Sequence, residues 1–85
     1  MNAYAHKLLV RAEGIWQGQG LSLEGKDVLE HDGYTSISLH FHKVAPSQAE
    51  LLVSQMGKAF RRANVCWEED ENGLVVRVKI PPMNT

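Results

Sequence analysis

The sequence lacks most of the features that assign a small protein to a class. Its 85 residues include one cysteine, Cys66, so an intramolecular disulfide is excluded. Its apolar runs are only a few residues long, far below the roughly 18 residues that span a bilayer. The formal net charge of -1 argues against a protein whose main task is to hold a polyanion. Because the first residues also lack a signal-peptide pattern, we expect a cytoplasmic protein with no membrane partner.

Length and hydrophobic content set the number of domains. A chain of 85 residues that is 44% hydrophobic can form one packed core and has no room for a second. We therefore expect a single domain over residues 1–85. Two consecutive prolines from residue 81 end the last predicted strand, so residues 81–85 are expected to form a loose tail.

The glycine-rich segment 17–20 does not have the spacing of a phosphate-binding loop, and no Lys-Ser or Lys-Thr pair follows it. We interpret it as a flexible connection. No cofactor is expected from this segment.

Residues 3–16 fit a helix better than a strand. A strand through residues 7–12 is the alternative, but the helical spacing continues beyond the length of a strand. Asn2 is a candidate N-cap, and Gly14 is a candidate for the last turn. The apolar positions with helical spacing are Tyr4, Leu8, Ala12 and either Ile15 or Trp16.

A β-hairpin is predicted over residues 26–43, with Asp32-Gly33 as its two-residue turn. This turn sets His31 opposite Tyr34 and Val28 opposite Ile37. The second strand of the hairpin alternates between apolar and polar residues, so one of its faces is buried and the other is exposed. Its apolar positions are Ile37, Leu39 and Phe41, and its polar positions are Ser36, Ser38, His40 and His42.

A second helix follows this hairpin. Ser47 and Glu50 have the spacing of a capping box at its start, and Asn64 is a candidate for a left-handed C-cap. One apolar stripe runs along the predicted helix. It consists of Ala49, Leu52, Val53, Met56, Ala59, Phe60 and Ala63.

The dipeptide Asn72-Gly73 predicts the turn of a second hairpin. This register sets Trp67 opposite Val78 on the buried face. It sets Glu68 opposite Arg77 on the solvent face, where the opposite charges favour each other.

Together these elements predict an α+β fold in the order α-β-β-α-β-β, with a four-stranded, mainly antiparallel sheet and both helices on one face. The expected core consists of Leu39, Phe41, Leu52, Met56, Phe60, Trp67, Val76, Val78 and Ile80.

His40 and His42 project from the same face of a strand, within reach of a single metal ion. Cys66 is a candidate third ligand only if its strand is a neighbour of theirs, and it is also a candidate nucleophile beside Lys79. A metal or thiol enzyme that uses these residues is the less favoured alternative. We expect no metal, no cofactor and no catalytic site.

We expect a non-enzymatic interaction module that binds a protein partner or itself through a face or edge of the sheet. Trp16 is a candidate exposed anchor, although packing in the core is an equal alternative. The candidate contact residues are Trp16, His40, His42, Arg61, Arg62, Arg77 and Lys79.

The second hypothesis is a nucleic-acid-binding regulator, and it depends on whether five cations converge on one surface. The cations are Lys58, Arg61, Arg62, Arg77 and Lys79. Nucleic acid is not favoured, because the near-neutral chain would release few counterions and the predicted polar face lacks phenylalanine and tyrosine.

Overall fold

Two helices and four strands follow one another in the expected order in a computed structural model of the chain, which describes residues 3–71 and 73–81. The elements are α1 (Ala3–Gly18), β1 (Leu23–His31), β2 (Tyr34–Phe41), α2 (Pro46–Ala59), β3 (Asn64–Asp70) and β4 (Gly73–Ile80). The predicted α+β fold is confirmed. Asn2 and the greater part of the predicted tail lie outside the described residues.

The four strands form one antiparallel sheet in the order β1-β2-β4-β3. β2 and β4 are central, and β1 and β3 are the two edges. Side chains alternate between the faces of a strand, and the buried residues of β2 and β4 form one core with the buried residues of both helices. Both helices therefore cover the same face of the sheet, and the other face is open.

The first hairpin has the predicted register. His31 pairs with Tyr34 and Val28 pairs with Ile37. Gly33 has a positive φ of 95°, a conformation that glycine adopts without steric cost. The first strand is longer than expected, since it begins at Leu23.

The helix predicted over residues 3–16 is confirmed, and it continues past Gly14 to Gly18. Trp16 is only 3% exposed, and its ring packs edge-to-face against Phe41 with centroids 5.7 Å apart. The interpretation of Trp16 as an exposed anchor is wrong, because its side chain fills the space between α1 and the sheet.

α1 and α2 run antiparallel along the covered face. The Arg11 guanidinium lies 5.8 Å from the centroid of the Phe60 ring, near the end of α2. Just beyond the end of α1, Gln19 Nε2 donates a hydrogen bond of 2.7 Å to Gln55 Oε1, which lies earlier in α2 than Phe60. The middle of α1 therefore lies beside the end of α2.

α2 does not begin at the predicted cap. Its N-cap is Ala45, and Pro46 occupies the first helical position, where a missing N–H is tolerated. The Ala45 N–H donates to Gln48 Oε1 at 3.2 Å, so Gln48 performs the role predicted for Glu50. Ser47 is inside the first turn of the helix and not at its cap.

The end of α2 is also earlier than predicted. Phe60 leaves the helical conformation, with φ -121° and ψ 74°, and its N–H donates to the Met56 carbonyl oxygen. This conformation keeps the Phe60 side chain in the core, where it is 3% exposed. Asn64 is the first residue of β3 and does not form a left-handed cap.

The second hairpin has the predicted faces but a different register. Trp67 pairs with Val76 and Glu68 with Val75, so each residue of β3 lies opposite a partner two positions earlier than expected. A shift of two residues leaves every side chain on its predicted face. Gly73 is the first residue of β4 and pairs with Asp70, while Asn72 is outside the described residues.

The expected core residues are buried, with one exception. Trp67 is only partly buried, because β3 is an edge strand. The confirmed members are Leu39, Phe41, Leu52, Met56, Phe60, Val76, Val78 and Ile80.

Candidate interaction surface

The open face of the sheet is the candidate functional surface, because neither helix covers it. The register assigns to it alternate residues of all four strands. From β1 to β3 across the sheet they include Asp27, Leu29, His31, Tyr34, Ser36, Ser38, His40, Val75, Arg77, Lys79, Asn64, Cys66 and Glu68. Among the described residues, no helix is both long and apolar enough to cross a membrane.

The centre of the open face is held by one polar network. Arg77 Nε lies 2.5 Å from Glu68 Oε1, and Arg77 Nη1 donates a hydrogen bond of 3.2 Å to Ser38 Oγ. Val75 lies between His40 of β2 and Glu68 of β3 and is only 2% exposed. The Arg77 guanidinium is therefore already paired within the chain.

One end of the open face is aromatic and basic. The Tyr34 ring stacks on His31 with centroids 4.4 Å apart, and Lys79 Nζ lies 4.4 Å from the Tyr34 centroid. Among the side chains that the structure describes, no carboxylate lies within 4.0 Å of the Lys79 ammonium. A shallow groove of about 320 Å³ lies here, and Asn64 and Cys66 form part of its wall.

The opposite end of the open face pairs imidazoles with carboxylates. His40 Nε2 lies 3.3 Å from Asp27 Oδ2, and His42 Nδ1 lies 3.7 Å from Glu24 Oε1. An open depression of about 520 Å³ is lined by Glu24, His40 and His42. The two ends of the face therefore differ in chemistry, with a cation over an aromatic ring at one and acidic groups with imidazoles at the other.

Cys66 is not beside the two histidines. β4 separates β3 from β2, and the cross-strand partner of Cys66 is Arg77, not the predicted Lys79. No group of three or more metal-ligating side chains was found in the part of the chain that the structure describes. A single site that contains His40, His42 and Cys66 does not form, because an intervening strand keeps them apart.

The five cations proposed for nucleic acid do not share one surface. Arg77 and Lys79 are on the open face, and Lys58 is on α2, on the opposite side of the sheet. Arg61 and Arg62 lie in the connection between α2 and β3. That connection leads to the same end of the sheet as Lys79, because Asn64 at the start of β3 pairs with Lys79.

Two residues of the open face were missed in the sequence. Tyr34 is two residues before Ser36 and four before Ser38 in the same strand. Since every second side chain of a strand lies on the same face, Tyr34 is on the open face. Leu29 is two residues after Asp27, so it lies on the same face of β1, and it is 57% exposed. The sequence contains the signal for both residues, because the alternation of side chains between the two faces continues to the ends of the strands.

Comparison with known protein families, with curated proteins and with solved structures gave no match. The function of this chain is therefore inferred from its own geometry.

Proposed function

We propose that this protein is a non-enzymatic interaction module that binds a protein partner through the open face of its sheet, and that the partner presents an acidic side chain to Lys79. The observation that carries the proposal is the position of Lys79. Its ammonium lies over the Tyr34 ring beside a groove, with no carboxylate within ion-pair distance in the described part of the chain.

The neighbours of Lys79 suit the recognition of a carboxylate. The Ser36 hydroxyl and the Asn64 amide line the same groove and can donate hydrogen bonds. The stacking of Tyr34 on His31 restricts the aromatic ring, so little side-chain entropy is lost when a partner packs against it. Leu29 adds an exposed apolar contact on the same face.

The size of the face supports a reversible interaction. Four strands about 4.8 Å apart, each about seven residues long at roughly 3.3 Å per residue, give an area of about 450 Å² per partner. That area is at the low end for specific protein interfaces, in the range of transient signalling complexes. We expect binding in the micromolar range.

An NMR titration of the ¹⁵N-labelled protein tests the proposal. The probes are a short glutamate-rich peptide and the same peptide with glutamine in place of glutamate. We expect the acidic peptide to shift the amide signals of Tyr34, Ser36 and Lys79, and the glutamine peptide to leave them unchanged. Lys79→Glu should abolish the shifts, because it replaces the ammonium over the Tyr34 ring with a carboxylate that repels the acidic peptide.

Lys58→Glu is the matched control, since it makes the same change of charge on α2, away from the open face. It should bind the acidic peptide as the wild type does. Shifts confined to the helices, or equal shifts with both peptides, would reject the open face as the binding surface. If single-stranded oligothymidylate shifts the same signals and the acidic peptide does not, the partner is nucleic acid, with Tyr34 and His31 as stacking platforms.

A further inference from the structure

The two edges of the sheet are protected to different degrees. The pairing of β1 with β2 has a register irregularity between Leu23 and Gly25. The charged residues Lys26 and Glu30 alternate with the other face in step with Val28, so they lie on the covered face of β1. A bulge and inward-facing charges are the devices by which edge strands resist pairing with another chain. The β1 edge is therefore protected from pairing with a strand of another chain.

The β3 edge has no such protection over its first half. All seven of its residues pair with β4 without a shift in register, and the strand contains neither glycine nor proline. Residues 64–67 are uncharged, and Trp67 remains partly exposed at the edge of the core. In the described part of the chain, no strand pairs with the outer edge of β3.

We propose that two copies of this chain pair antiparallel along their β3 edges and form one continuous eight-stranded sheet. A pairing of all seven residues is centred on Trp67, which then lies opposite Trp67 of the second copy. It sets Val65 opposite Glu69 and Cys66 opposite Glu68, so no carboxylate lies opposite another. Centring the pairing on Glu68 would oppose two carboxylates.

The charges at the two ends of β3 favour a second copy as the occupant. Arg61 lies in the connection that leads directly into the strand. Glu69 and Glu71 lie at its other end. An antiparallel pairing places the basic end of each copy beside the acidic end of the other, and the twofold symmetry repeats this match.

Gly57 in α2 is an independent observation in favour of the pairing. A Cβ atom at this position would meet nothing within 4 Å, so no contact with the described residues requires glycine there. Glycine inside a helix is destabilising relative to alanine. Gln55 faces α1, and Gly57 lies about 200° further around the helix, on the flank that faces the β3 edge.

The proposed pairing gives Gly57 a role. α2 packs over β3 and β4, so the α2 helices of two copies would lie about 10 Å apart on the same side of the extended sheet, as packed helices do. A glycine on the facing flank allows such a close approach. The pairing uses the edge of the sheet and leaves the open face uncovered, so it is independent of the function proposed above.

Sedimentation equilibrium of the full chain, with a reductant present, tests the proposal. We expect a reversible dimer at micromolar concentration. Cys66 is exposed on the open face, and in the proposed register it lies opposite Glu68 of the second copy. Cys66→Glu should therefore raise the dimer dissociation constant about tenfold and Cys66→Lys should lower it by a similar factor, since each change acts twice in a symmetric dimer.

Gly57→Gln separates dimerisation from the stability of the monomer. It should raise the melting temperature measured under monomeric conditions, because glutamine has the higher helix propensity, and it should weaken the dimer by obstructing the approach of the two helices. Three results would overturn the proposal. They are a protein that stays monomeric at every concentration, two Cys66 variants that shift the dissociation constant in the same direction, and a Gly57→Gln dimer as tight as that of the wild type.

Discussion

Arg77 and Glu68 form an ion pair across the open face although they are not opposite each other in the sheet. Arg77 pairs with Cys66 in the β3–β4 register, and Glu68 pairs with Val75, so the contact between the two charged side chains is diagonal. The long guanidinium side chain spans the diagonal and also reaches Ser38 of β2. One arginine therefore connects three neighbouring strands.

This ion pair is expected to add little to stability. The two side chains are 52% and 54% exposed, so water and salt screen their attraction. A double-mutant cycle with Arg77→Met and Glu68→Gln should give a coupling energy below about 1 kcal/mol that decreases as salt is added. Urea denaturation of the four proteins at low and high salt measures it, and a coupling that salt does not reduce would contradict the expectation.

Gly73 is required by a close contact between backbones. Its φ is +144°, and a Cβ atom at this position would lie 2.5 Å from the Phe41 carbonyl oxygen. Gly73→Ala should therefore lower the free energy of unfolding by about 1–3 kcal/mol, since the backbone of β2 or β4 has to shift. Gly14→Ala is the control. A Cβ atom at Gly14 meets open space in a helix, so this change should raise stability in the same urea titration.

The observed start of α2 reverses the expectation for its cap. Ser47 is not the N-cap, so Ser47→Ala should leave the melting temperature within error of the wild type. Ala45 occupies the cap position in an extended conformation, and serine there can accept a hydrogen bond from an unpaired N–H of the first turn. Ala45→Ser should stabilise the protein by about 1 kcal/mol. Thermal denaturation of both variants decides the point, and the opposite ranking would place the cap at Ser47.

Phe60 is expected to be one of the most sensitive positions in the chain. Its side chain is 3% exposed and closes the core between the end of α2 and α1, where the Arg11 guanidinium lies over the ring. Phe60→Ala should cost about 3–5 kcal/mol, a large part of the stability of a small domain. Leu51→Ala is the control, because Leu51 is 50% exposed on α2 and should change the urea midpoint little.

The sequence by itself determined the elements and the faces of the strands. The Asp32-Gly33 turn fixed the first hairpin to the residue, because a two-residue loop at these positions allows only one register. Alternation with a period of two placed Trp67 and Glu68 on their correct faces even though their partners were predicted incorrectly. These features are local, so a few neighbouring residues contain all the information that specifies them.

The tertiary structure alone decided which residues meet. β4 pairs with β3 on one side and with β2 on the other, and Gly73 of β4 lies close to the backbone of Phe41 in β2. The register between β3 and β4 differs by two residues from the one that the Asn72-Gly73 turn predicts. The strand order places β4 between Cys66 and His40, and the packing of α1 on the sheet buries Trp16. Such contacts join residues far apart in the chain, and their free energies depend on the shapes of several packed elements at once, which no local pattern of residues contains.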